Sequence, residues 1–457
     1  MLAAMSLTPT TGPTGAQPPP RGRGDACPGA LRLHAADDGS LARVRLPAGL
    51  LTSRQALALA RASEELGDGL LDITSRGNVQ LRGLSGGCGG ELADRLRTAG
   101  LLPSDRHERA RNIVASPLAG LDGAGHGEVA GWVRSLDALL CAEADTAGLS
   151  GRFLFALDDG RGDVAALGAD VTLIAGAGGE AVLRVGPAGS ARPPAQVLVA
   201  AGDAPRAAVL AASYFLDLVR ESGGRAWRVA ELPADHAVTA ARLVARLAAA
   251  GVPARPAAEL PPGTAGGVPA AAAGQPWEVA PGVVDGPDGR CALSVLAPLG
   301  RLTAAQWRLL AGTAARDGAD ELRVTPWRGV VLPGLERHTA RDRLAGLAAA
   351  GLVVDRGSPW SGVGACAGRT GCAKSLRDVR ADAADAVRRT GPGALPVYWS
   401  GCERRCGRPA TGRWVDVLAT RDGYRVSVHG TAQAGGTAPA VPAEEAAGAV
   451  AAARGTT

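Results

Sequence analysis

Four cysteines gathered near the end of the chain are the residues best suited to chemistry. Cys366 and Cys372 form C-x5-C within GVGACAGRTGC, and Cys402 and Cys406 form C-x3-C within WSGCERRCG. Four thiolates arriving as two pairs suit a cubane 4Fe–4S cluster, one sulfur per iron. Glycines flank both pairs, and such loops let backbone N–H groups approach the inorganic sulfides. Three other readings compete. Structural zinc favours spacings of about two to four residues, which C-x5-C does not match. A disulfide belongs to an oxidising compartment. Inert core thiols have no reason to gather in pairs. Cys27, Cys88, Cys141 and Cys291 stand alone and read as core or loop residues.

The elements that must position these thiols follow from an internal repeat. Residues 44–102 align with 295–353 at a constant shift of 251, with 19 of 59 positions identical and no gap. Pro47, Gly49, Leu51, Thr52 and Gln55 fall on Pro298, Gly300, Leu302, Thr303 and Gln306. In each copy an alternating strand leads to an S/T-x-x-E/Q capping box, a helix, two strands around a tight bend and a second helix. This β-α-β-β-α order predicts a ferredoxin-like half. Two such halves imply duplication and a pseudo-two-fold α+β molecule, alternating with two larger α/β units. The predicted divisions are a disordered tail at 1–26, a half at 27–104, a larger unit at 105–253, a linker at 254–278, the second half at 279–354 and the cysteine unit at 355–457.

Composition narrows the function classes. The chain has 457 residues, 46% hydrophobic and 20% charged, and reads as globular. The formal net charge of +5 comes from arginines interleaved with acids, so no basic block points to nucleic acid. No apolar run reaches the roughly 18 residues of a membrane span, and MLAAMSL lacks the basic start of a signal peptide. A cytoplasmic protein is expected. No G-x-G-x-x-G lies between a strand and a helix, so electrons are expected from an external donor or reductase. His34, His107, His126, His236, His338 and His429 are dispersed and offer no two-histidine-one-carboxylate iron site.

With its cysteine spacing and its duplication, the chain resembles the sulfite and nitrite reductases over nearly its whole length past the tail. The resemblance implies a 4Fe–4S cluster on Cys366, Cys372, Cys402 and Cys406, with Cys406 bridging to sirohaem where that is bound. It also implies cationic residues for the carboxylate arms of a tetrapyrrole. These fall on Arg76 in TSRGN, Arg111 in RNIV and Arg152 in SGRFL, with Arg328 from the second copy. Guanidinium forks match carboxylates with two bonds each. Leu154 stands where the family carries a second cation for its oxyanion substrate. Within the family, CPGALRLHAADDGSLARVRLPAG (27–49), SRGNVQLRGL (75–84) and GRFLFALDDG (151–160) resemble the precorrin-3B synthases of aerobic cobalamin biosynthesis. That branch implies hydroxylation of precorrin-3A by O2 with closure of a γ-lactone, and a second iron or a sirohaem beside the cluster. Sulfite or nitrite reduction with sirohaem, and non-catalytic tetrapyrrole carriage, are the alternative functions.

Overall fold

The computed structural model describes residues 25, 27–127, 129–190, 192–257, 279–409, 412–430 and 439–455. Of the tail expected at 1–26, only Asp25 is described. It is tied down: its carboxylate accepts from the Cys27 N–H at 2.9 Å and the Gly151 N–H at 2.7 Å. Of the linker expected at 254–278, residues 258–278 lie outside the described set, while Ala254–Pro256 pairs antiparallel with Ala195–Ala200 and extends that sheet.

The chain is α+β, with two ferredoxin-like halves related by a pseudo-two-fold axis. The sheet of the first half orders His34–Ala36, Gly39–Val44, Val79–Leu84 and Leu70–Ile73, then takes Arg301–Thr303 from the second half. The second sheet orders Gly282–Asp285, Arg290–Leu296, Gly329–Glu336 and Glu321–Val324, then takes Leu50–Thr52 from the first. The exchange is symmetric to the residue. Leu51 pairs with Leu322 and Leu302 with Leu71, the same pair under the shift of the duplication.

Each exchanged strand ends in the threonine that starts a helix, Ser53–Leu66 or Ala304–Asp317. Thr52 Oγ1 accepts from the Gln55 N–H at 3.2 Å while Gln55 Oε1 accepts from the Thr52 N–H at 3.0 Å, and Thr303 with Gln306 repeats the box. Such a cap contributes about 1 kcal/mol. The two helices pack together, burying Ala56, Leu59, Trp307 and Leu310 in one core shared by both halves.

The two larger units also repeat each other. One sheet runs Ile113–Ala115, Phe155–Asp158, Val171–Ala175, Glu180–Val185, Ala195–Ala200 and Ala254–Pro256; the other runs Val363–Ala365, Val397–Ser400, Trp414–Thr420, Gly423–His429 and Ala440–Val441. In both, the first three strands are parallel and the next two antiparallel. The strands Phe155–Asp158 and Val171–Ala175 were not foreseen from the sequence. They are buried throughout, so they lack the apolar/polar alternation that marks a half-exposed strand. Among the described residues no helix is long and apolar enough to cross a membrane.

Candidate functional site

The cysteine loops leave the carboxyl ends of two parallel neighbours. Val363 pairs with Val397 and Ala365 with Trp399, so Cys366 and Cys402 emerge side by side at one sheet edge. The Gly401 N–H donates to Cys366 Sγ at 3.2 Å. Cys406 is exposed, yet partial burial raises its thiol, and charge on Cys402, Cys366 and Cys372 raises it further, so the four sulfurs feel one another. The loops are pinned by their carbonyls. Arg380 Nε donates to the Cys366 carbonyl at 3.2 Å, Arg82 Nη2 to that of Gly371 at 2.7 Å, and the Tyr398 hydroxyl to that of Cys406 at 2.6 Å.

Four soft thiols on two glycine-flanked loops are a donor set that suits an iron–sulfur cluster. Among the described residues, the only group of three or more potential metal ligands whose donor atoms all lie within 4.8 Å is Asp158, Asp159 and Asp163.

Arg328 enters beside them. Its guanidinium lies over the Tyr398 ring at 5.5 Å. Its φ of 63° is left-handed, and the same position in the first copy is Gly77, with φ 65°. An arginine in that conformation costs of order 1 kcal/mol or more, which marks a position held for its side chain. The side chain passes Gly300 and Gly364 so closely that a Cβ on either would lie 2.4 or 2.8 Å from it. Among the described residues no carboxylate pairs with Arg328.

A second concentration of charge lies at Gly151. Arg45 Nη2 and Arg76 Nη1 both donate to the Gly151 carbonyl, at 3.3 and 3.2 Å. Burial pushes Arg45 down to about 9, with Arg43 and Arg76 adding to it; burial likewise lowers Arg76 to about 10, with Arg228 and Arg43 next. Arg45 is only 4% exposed, and among the described residues its Nε and Nη1 have no partner. A cavity of about 10 Å³ beside it, lined also by Arg43, Glu108 and Arg111, has room for about one water. Arg43, Arg45, Arg76 and Arg228 thus gather here, and among the described residues only Arg228 of the four is ion-paired, to Asp170 at 2.5 Å.

Of the other predicted arginines, Arg111 lines the same cavity and is 4% exposed. Its Nε and Nη2 fork onto Asp137 at 2.7 and 2.8 Å, and Nη1 reaches the Leu101 carbonyl at 3.1 Å. These three bonds tie the start of the second unit to helix Ala130–Ala142 and leave one N–H on each terminal nitrogen. Arg152, next in the chain to Gly151, stands 3.5 Å from Glu231 and over Trp227 at 5.6 Å. Leu154 is buried with Val114, Ala156, Val164 and Ala169, and Trp327 packs against the same cluster.

Comparison with known proteins fits this architecture. The model of the nitrite/sulfite reductase ferredoxin-like half domain matches residues 34–98 and again 284–350, the two halves of the duplication. A precorrin-3B synthase of Sinorhizobium sp is 28% identical over 418 residues, covering 90% of this chain and 84% of that one. The chain thus carries the ferredoxin-like half domain of the nitrite and sulfite reductases twice. A ferredoxin–nitrite reductase of Synechococcus elongatus is also 28% identical, over 399 residues, 81% of this chain and 74% of the relative. The solved structure of the Mycobacterium tuberculosis NirA protein shares the fold with a TM-score of 0.69 at 22% identity, over 90% of this chain and 79% of that one.

Arg43 and Arg45 were missed from the sequence, although the signal was present. They stand two apart in LARVRL, so they share one face of the strand and its continuation, the face that meets Arg76. The buried acids were missed as well. Asp158 takes four backbone N–H groups, from Gly160, Gly162, Val164 and Ala165, at 2.8–3.1 Å, and so organises its own loop. Asp163 accepts from Ser116 Oγ at 2.6 Å, and Asp159 holds Arg161.

Proposed function

We propose that this chain is a precorrin-3B synthase-type monooxygenase, acting on a polycarboxylate tetrapyrrole with O2. The observation that carries the reading is the juxtaposition at residues 151–154. A buried guanidinium, Arg45, and a half-buried one, Arg76, meet at Gly151, and three residues on, Leu154 lies in an apolar cluster. A polycarboxylate macrocycle needs both: forks for its acetate and propionate arms and an apolar wall for its ring face. A small oxyanion needs a full set of cations and no apolar wall. The match to the Sinorhizobium enzyme, which covers more of both chains than the match to the cyanobacterial nitrite reductase, supports the same choice.

In this reading Arg45 and Arg76 bind carboxylate arms, with Arg43 and Arg328 as further cations, and Leu154 with Trp327 excludes water from one side of the ring. Cys366, Cys372, Cys402 and Cys406 hold a 4Fe–4S cluster, which supplies one-electron transfer from an external donor. The reaction balances when one O2 atom adds across the C=C bond between a ring carbon and its meso neighbour while two electrons and two protons take the other atom to water; the ring acetate then opens that C–O–C bridge, forming the lactone C–O bond as the bridge C–O breaks, and its proton passes to the meso oxygen to leave C–OH. The competing reading is sirohaem-dependent reduction of nitrite or sulfite. Assays of precorrin-3A with air and of both anions with an artificial donor, on one preparation, separate them. Precorrin turnover with negligible anion reduction supports the proposal, and robust anion reduction without precorrin turnover overturns it.

A further inference from the structure

We infer that Arg380 and Asp72 act as an opposed pair of fixed charges that positions the Cys366 loop and sets the reduction potential of the centre bound there. The inference rests on the reading of the four cysteines as cluster ligands. Arg380 lies on helix Val379–Arg389; its Nε donates to the Cys366 carbonyl, and its Nη2 stands 3.5 Å from Asp72 Oδ1. Its side chain is 17% exposed and that of Asp72 7%, so solvent screens neither well.

Asp72 belongs to strand Leu70–Ile73 of the first ferredoxin half. Its other partner is Arg301, on the strand exchanged from the second half, which forks onto it at 2.7 and 2.8 Å. Burial would raise the Asp72 carboxyl, but the Arg301 fork and Arg380 hold it below its usual value, so it stands as an anion. Three segments distant in sequence thus meet at one carboxylate: both halves of the duplication and the helix that follows the first cysteine pair. Arg328 and Tyr398 complete the surroundings; burial lowers the Arg380 guanidinium, Asp72 opposes that, and Arg301 and Arg328 lower it further.

The consequence follows from charge alone. Reduction adds one electron to the centre and forms or breaks no bond. A fixed cation nearby favours the reduced state and raises the potential; a fixed anion lowers it. Arg380 reaches the ligand loop directly, and Asp72 offsets it from behind.

The test is a dithionite titration of anaerobically purified holoprotein, followed by visible absorption and by the electron paramagnetic resonance of the reduced centre. Arg380→Gln is expected to shift the midpoint to more negative potential, Asp72→Asn to more positive potential, and Arg380→Lys to stay near the parent. Unmoved midpoints in Arg380→Gln and Asp72→Asn, with full iron and sulfide, would overturn the inference and leave the cluster reading intact. If Arg380→Gln sheds its iron, the direction of the Asp72→Asn shift decides alone. Absence of iron and sulfide from the parent protein overturns the cluster reading, and this inference with it.

Discussion

Trp307 donates its indole N–H to the backbone carbonyl of Ala56 at 2.8 Å, across 251 residues, and the two are each other's counterparts in the duplication. The bond therefore lies where helices Ser53–Leu66 and Ala304–Asp317 meet at the pseudo-two-fold axis, with small alanine on one side making room for tryptophan on the other. Trp307→Phe removes the donor and part of the ring volume. It should destabilise the protein by about 1–3 kcal/mol in chemical denaturation. An unchanged midpoint would mean that the axis is held by the exchanged strands alone.

The arginines separate into binding and structural groups. Arg45→Ala and Arg76→Ala should each weaken binding of a polycarboxylate tetrapyrrole by roughly 1.5–3 kcal/mol, with little recovery in the lysine variants. Arg111→Ala should instead destabilise the fold by about 3 kcal/mol, because it leaves Asp137 without its fork, while the affinity of the folded fraction stays near that of the parent. Fluorescence quenching titrations beside thermal melts distinguish the two. Equal affinity loss in all three would return Arg111 to the binding site.

Serine at Cys366, Cys372, Cys402 or Cys406 should strip or degrade the iron centre, since a missing thiolate leaves one iron open. Serine at buried Cys88 or Cys291 should leave iron and sulfide unchanged. Iron and acid-labile sulfide assays on the six variants check this. Full iron in any of the first four would remove that residue from the ligand set.

The Asp163 carboxyl is pushed up to about 7 by burial and then by the charge of Asp158. Between pH of about 4, where an unfolded aspartate loses its proton, and pH 7, the folded chain keeps a proton that the unfolded chain has released. The stability contributed by this group is thus full below about pH 4 and falls as pH rises through that window. Asp163→Asn keeps the acceptor for Ser116 and removes the titration. It should match the parent near pH 4 and exceed it at pH 8, by at most about 4 kcal/mol at about 1.4 kcal/mol per pH unit. Parallel stability profiles for the two proteins would contradict the assignment.

Much of this was legible in the residues. The gapless repeat carried the duplicated halves, because capping boxes and tight turns tolerate few side chains. The symmetric strand exchange was not legible: Leu50–Thr52 and Arg301–Thr303 are three residues long, and nothing local says which sheet they join. The arginine cluster was half legible, since Arg76 lies in a recognisable turn while its meeting with Arg45 at Gly151 depends on segments far apart in sequence. The Arg111 fork onto Asp137 was not legible, because a buried ion pair and a ligand clamp use the same residue type.

The central claim is oxygen insertion into a tetrapyrrole. Reconstituted holoprotein, an electron donor and precorrin-3A under 18O2, followed by mass spectrometry of the pigment, tests it most directly. The account predicts a product carrying one 18O atom, formed only with O2 and electrons present and lost in Cys406→Ser. Pigment recovered unchanged by a preparation that reduces nitrite or sulfite would contradict it.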